Sequence, residues 1–117
     1  MKKVIKLACG LALSIGCTAA MANTMSCYVD TPKYDEFTTN QCDAIVWGAN
    51  IATAVFRVDD APSGSRILWS DNRCSDTSNM CMISIHAFRN YTMKATVLKP
   101  DGTWHQVSAS ASFEDGR

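Results

Sequence analysis

The segment "YTMKATVLKPDGTWHQVSASASF", Tyr91 to Phe113, restricts the possible folds more than any other stretch of the chain. Before its central break, Tyr91, Met93, Ala95 and Val97 fall on one face, and Lys94 and Thr96 on the other. After the break, Val107, Ala109, Ala111 and Phe113 alternate with Ser108, Ser110 and Ser112. A period of two belongs to strands with one buried face, not to helices. In "KPDGT", Lys99 to Thr103, Pro100 presets φ and Gly102 accepts a positive one, so the two runs are expected to close as a hairpin. Trp104 then falls on the serine face, opposite Val107 and Phe113, and is expected to be exposed.

The same chemistry recurs upstream. Ala52 to Val58 places Ala54, Phe56 and Val58 on one face and Thr53 and Arg57 on the other, until "DDAPSG", Asp59 to Gly64, breaks the run. Arg66 to Trp69 and Met82 to His86 read as further strands, Ala44 to Trp47 as another, and Cys27 to Val29 as a short edge strand. Asp30 to Gln41 is polar and irregular, and reads as a surface loop. No segment after residue 22 shows a sustained helical period with caps. Short strands spaced about 10–12 residues apart, with turn residues between them, predict an all-β chain folded as a small antiparallel β-sandwich.

The first residues have a different character. Lys2, Lys3 and Lys6 precede the apolar run Leu7 to Ile15, and small residues lead to Ala20-Met21-Ala22. A basic start, a short apolar middle and an A-x-A exit make a secretory signal peptide over 1–22, cleaved after Ala22. Cys17 in "LSIGC" resembles a lipidation site, but Ser14 stands where that pattern wants Leu. The apolar run is shorter than the roughly 20 residues that span a bilayer, and no span is expected in 23–117. Loss of the three leader lysines leaves 8 basic residues against 11 acidic ones, a formal charge of −3. Nucleic-acid binding, which needs a basic face, is thereby disfavoured. The remaining 95 residues suffice for one domain, secreted or periplasmic.

Cys9 and Cys17 leave with the leader, so Cys27, Cys42, Cys74 and Cys81 remain. An even count in a short exported chain predicts two disulfides. Four cysteines allow three pairings, and sequence alone does not choose among them; closure of short loops favours Cys27–Cys42 with Cys74–Cys81.

"ATAVFRV", "RILWSDN" and "NYTMKATVLKPDGTWHQVSASASF" resemble strands B, C, F and G of an immunoglobulin-like sandwich, closest to bacterial domains of the polycystic-kidney-disease type. In that family a Trp lies on strand C, a Tyr opens strand F, and an Asp-Gly turn leads to strand G. Trp69, Tyr91, Thr92, Thr96, Val97, Asp101 and Gly102 fall on the pattern. The resemblance implies a core position for Trp69. Ser70-Asp71-Asn72-Arg73 replaces the Phe-Gly-Asp-Gly that such domains carry after this Trp.

The segment between Cys74 and Cys81 looks most like a site. A direct hairpin between Arg66–Trp69 and Met82–His86 would put Trp69 on a face with Ser84 and His86, mixing core and polar positions. The loop is therefore expected to cross from one sheet to the other. Zinc would need closer ligand spacing than Cys74 and Cys81 offer, and His86 and His105 lie on expected strands as solvent-facing or edge residues. Cysteines paired as disulfides supply no nucleophile. Ser, His and Asp lack the strand-turn-helix setting of a G-x-S-x-G nucleophile. Asp59, Asp60, Asp71, Asp76 and Asp101 sit in expected loops without calcium-loop spacing. Asn90-Tyr91-Thr92 matches a glycosylation acceptor, but Tyr91 reads as a core residue.

No catalytic residue, metal or cofactor is expected. By analogy with other exported sandwiches, the expected fold points to a non-enzymatic recognition module of a bacterial envelope or the extracellular space. It would be monomeric or weakly self-associating, with a protein or glycan partner contacted through Arg73, Ser75, Asp76, Asn79 and Trp104. Two other roles fit an exported stapled loop: inhibition of a protease or lysozyme-like hydrolase, and a surface-fibre subunit.

Overall fold

In the computed structural model, residues 24–32 and 35–117 are described, so the expected leader and its two cysteines lie outside the described residues. Eight strands follow in order: β1 (Thr24–Val29), β2 (Thr38–Thr39), β3 (Gln41–Ile45), β4 (Ile51–Asp59), β5 (Arg66–Trp69), β6 (Met80–His86), β7 (Tyr91–Leu98) and β8 (Trp104–Glu114). They form two four-stranded sheets, β2-β1-β4-β6 and β3-β8-β7-β5, in a β-sandwich-like, all-β arrangement.

The β7–β8 hairpin pairs Leu98 with Trp104 across the turn and Tyr91 with Ala111 at its far end. Gly102 takes φ 90° in that turn, a conformation that penalises a side chain. Met93, Ala95, Val97, Val107, Ala109, Ala111 and Phe113 are buried, and Ala54, Phe56 and Val58 of β4 meet them in one core with Met25, Ile83 and Ile85. Complete burial of a large apolar side chain such as Phe56 contributes about 1.5–3 kcal/mol.

Several expectations need correction. The strand expected at Ala44–Trp47 is β3, Gln41–Ile45, and it pairs parallel to β8, so its sheet is mixed rather than wholly antiparallel. Cys27–Val29 is not an edge strand: β1 begins at Thr24 and lies between β2 and β4. The reason is β2, two residues of the expected loop that fold back against Ser26 and Cys27.

Asn40 is the point where the chain changes sheets. Its amide donates to the carbonyl of Met25 in one sheet, while its carbonyl accepts the amide of Ser110 in the other. Its φ is 71°, a left-handed conformation that Asn tolerates better than most residues. The Cys27–Cys42 disulfide ties β1 to β3 beside this switch, and the second disulfide joins Cys74 to Cys81. Both are consistent with an oxidising extracellular or periplasmic environment. No helix among the described residues is long and apolar enough to cross a membrane.

Candidate binding surface

β5 and β6 lie in different sheets, so the stapled segment crosses between them, as the mismatch of faces requires. The crossing loop satisfies its own polar groups. The indole N–H of Trp69 donates to the carbonyls of Ser75 and Ser78, at 3.1 and 3.2 Å. Trp69 is half-buried and packs on the core, so its ring belongs to the loop's foundation rather than to an exposed platform.

Of the five expected contact residues, four lie in this loop: Arg73 and Ser75 are bonded within it, and Asp76 and Asn79 to the neighbouring strands β5 and β4. Arg73 forms a two-pronged pair with Asp71, Nε to Oδ1 at 3.0 Å and the terminal nitrogen to Oδ2 at 2.6 Å. That pairing holds the Asp71 carboxyl below its usual range and the guanidinium above its own. Ser75 and Thr77 share a hydroxyl–hydroxyl bond of 2.9 Å. The carboxylate of Asp76 accepts from Arg66 at 2.6 Å, and its carbonyl accepts the amide of Ile67. Asn79 accepts the amide of Val58 on its backbone carbonyl. These contacts stiffen the loop and cover the outer edge of β5.

Trp104 lies apart from them, on the outer face of the β3-β8-β7-β5 sheet, and is 63% exposed. Register places Trp104 beside Leu98 and Leu98 beside Arg66, one row across three strands. The next row is Gln106, Thr96 and Leu68, with Leu68 also exposed. Further along, Thr92 and Ser110 share a 2.9 Å hydroxyl bond, and Ser112 donates to Asp43 at 2.6 Å. The face is thus lined largely by hydroxyl and amide groups, with Lys94 exposed among them opposite Ser108, and has an apolar corner at Trp104, Leu98 and Leu68. Leu68 and Leu98 were not among the expected contacts. The signal for Leu98 lay in the hairpin, whose turn length sets it opposite Trp104.

The other sheet carries a different arrangement. Asp59 accepts from Thr24 Oγ1 at 2.9 Å, Ser26 Oγ at 2.5 Å and Arg57 Nε at 2.8 Å. Burial pushes its pKa up, but the bonds from Ser26, Arg57 and Thr24 outweigh this and hold it below the usual carboxylate value. Phe37 folds over this face, edge-on to Tyr28 at 4.7 Å and 3.9 Å beneath the Arg57 guanidinium. A carboxylate so engaged is a structural anchor rather than a free base.

His86 is exposed on β6, as expected for an edge histidine. His105 departs from that expectation: it falls on the inward row with Val107, and its Nε2 is buried without a hydrogen-bond partner. Burial, with Lys99 nearby, lowers its pKa. Among the described residues, no group of three or more His, Cys, Asp or Glu is arranged to hold a metal ion. Compared with known proteins, the chain matches no family model, no curated sequence and no solved structure.

Proposed function

We propose that this protein is an exported, non-enzymatic binding module with an immunoglobulin-like arrangement, and that its recognition surface is the outer face around Trp104. Support for the immunoglobulin-like arrangement comes from the strand orders of the two sheets and from the crossover after β5. The observation carrying the functional reading is the row Trp104–Leu98–Arg66 beside the row Gln106–Thr96–Leu68 on one outer sheet face, with Trp104 and Leu68 exposed.

An exposed aromatic ring beside neutral donors and acceptors suits a neutral glycan. The ring covers the apolar C–H face of a sugar while hydroxyl and amide groups meet its hydroxyls. Arg66 brings little net charge to this corner, because Asp76 pairs with it. Loops of the rigid sandwich would frame the face without reorganising, which keeps the ordering cost of binding low.

Affinity electrophoresis of the exported chain through gels containing neutral polysaccharides tests this reading. At least one polysaccharide should retard the wild type, and Trp104→Ala should weaken that binding about tenfold or more. Trp47→Ala, away from this face, should leave it unchanged. Equal retardation of the wild type and Trp104→Ala, or no retardation by any neutral polysaccharide, rejects it.

A further inference from the structure

The two sheets end in four edge strands, and three are protected. β5 is covered by its crossing loop through the Ile67 amide and the Asp76 carbonyl. β2 has only two residues. β3 is tied to β1 by the Cys27–Cys42 bridge, carries the charged Asp43, and has the Gln41 carbonyl bonded by Thr38. Short length, charge and loop cover are the usual protections against edge-to-edge pairing.

β6 has none of these over its central part. It is seven residues long, pairs with β4 in unbroken register from Met80 to His86, and contains no Lys, Arg, Asp, Glu or Pro. The amide of Val58 donates to the carbonyl of Asn79, and the amide of Ala87 to the carbonyl of Asn50. On the Phe56↔Cys81 register, these bonds turn the backbone groups of Cys81, Ile83 and Ile85 toward β4. Those of Met80, Met82, Ser84 and His86 therefore point away from the sheet.

Both ends of this outward row are closed. The Ser78 hydroxyl accepts the amide of Met80 and donates to its carbonyl, at 3.2 and 2.9 Å. At the other end Phe88 turns the chain away with φ 64°, and its amide bonds to the carbonyl of Phe113. Among the described residues nothing pairs with Met82, Ser84 and His86 between these stops.

We infer that β6 pairs antiparallel with β6 of a second copy of this chain, about a two-fold axis at Ser84. Centred there, Ser84 faces its own counterpart and Met82 faces His86, each exchanging N–H···O=C bonds in both directions. The next pair outward in this register would join Met80 to Phe88, the two positions already closed. The closures therefore lie symmetrically about Ser84, and this is the one antiparallel register of self-pairing that engages all three open positions. An uncharged strand meets its own copy without like-charge repulsion. Met82, 68% exposed, would cover part of its side chain against the His86 ring across the axis. The product is one continuous eight-stranded sheet with Ile83 and Ile85 beneath the junction.

Sedimentation velocity and hydrogen exchange on the exported chain test the inference together. A weak dimer is expected, with Kd on the order of 1–100 µM. The amides of Met82, Ser84 and His86 should gain protection as concentration rises, while that of Met80 stays constant. Ser84→Lys places two like charges on the axis and should weaken the dimer about tenfold or more. Its solvent-facing position should leave the far-UV spectrum unchanged. Ser84→Cys should give a covalent dimer on mild oxidation, and Leu68→Cys should not. A wild type that remains monomeric to about 1 mM, or a Ser84→Lys dimer of unchanged affinity, overturns self-pairing. So does protection of these amides only when an extended peptide from another protein is added.

Discussion

The indole N–H of Trp69 points at the carbonyl of Ser75, 3.1 Å away, although a seven-residue disulfide loop closes just beyond. The loop is thus held from within as well as by its bridge. Trp69→Phe keeps most of the apolar contact and removes the donor, leaving two carbonyls to find other partners. A loss of about 1 kcal/mol is expected in urea unfolding. Proteolysis between Asp71 and Asn79 should accelerate while the Cys74–Cys81 bridge stays oxidised.

Removing the bridges separates their roles. With separations of 15 and 7 residues, chain entropy predicts losses of about 3 kcal/mol for Cys27→Ala with Cys42→Ala and about 2.4 kcal/mol for Cys74→Ala with Cys81→Ala. Denaturant midpoints at matched unfolding slopes measure both. A larger loss for the second pair would show that the crossing loop contributes more than its closure.

Asp59→Ala deprives Thr24, Ser26 and Arg57 of a shared acceptor. A loss of about 2 kcal/mol near neutral pH is expected. The folded-state pKa of Asp59 lies below its ordinary value of 3.8. The ionised group therefore contributes stability that is fully present above that value and is lost as pH falls through the folded pKa. Thermal unfolding from pH 6 down to about 2.5 should fall less steeply below 3.8 in Asp59→Ala than in the wild type.

His105 acts at a higher pH. Its folded-state pKa lies below 6.5, so the folded chain resists a proton that the unfolded chain accepts. Stability is full above 6.5 and declines as pH drops through the folded value. His105→Leu removes this titration, and its melting temperature should change less than the wild type's between pH 7.5 and 5. Equal slopes would assign the acid sensitivity to other groups.

Much of this architecture was legible in the chain. The bounds of β5 and β7 match the sequence expectation, and β4 and β8 extend only slightly beyond it, because each has an alternating inward row. β3 was displaced because its limits come from a parallel partner, Ser110–Glu114, distant in sequence. β2 was missed because two polar residues, Thr38 and Thr39, have no pattern of their own and are strands only through β1. The exposure of Trp104 followed from alternation, whereas the pairing of Arg73 and Ser75 within their loop, and of Asp76 with β5, depended on the loop's folded path.

By itself, the sequence determined that the chain makes short strands and which residues of the hairpin face the core. Alternation is local, and a side chain's face is set once its strand forms. Tertiary structure decided the rest: the sheet each strand joins, the change of sheet at Asn40, and the edge left open at Met82, Ser84 and His86. A backbone group becomes paired or free only when distant segments arrive beside it, and no local pattern of side chains records that arrival.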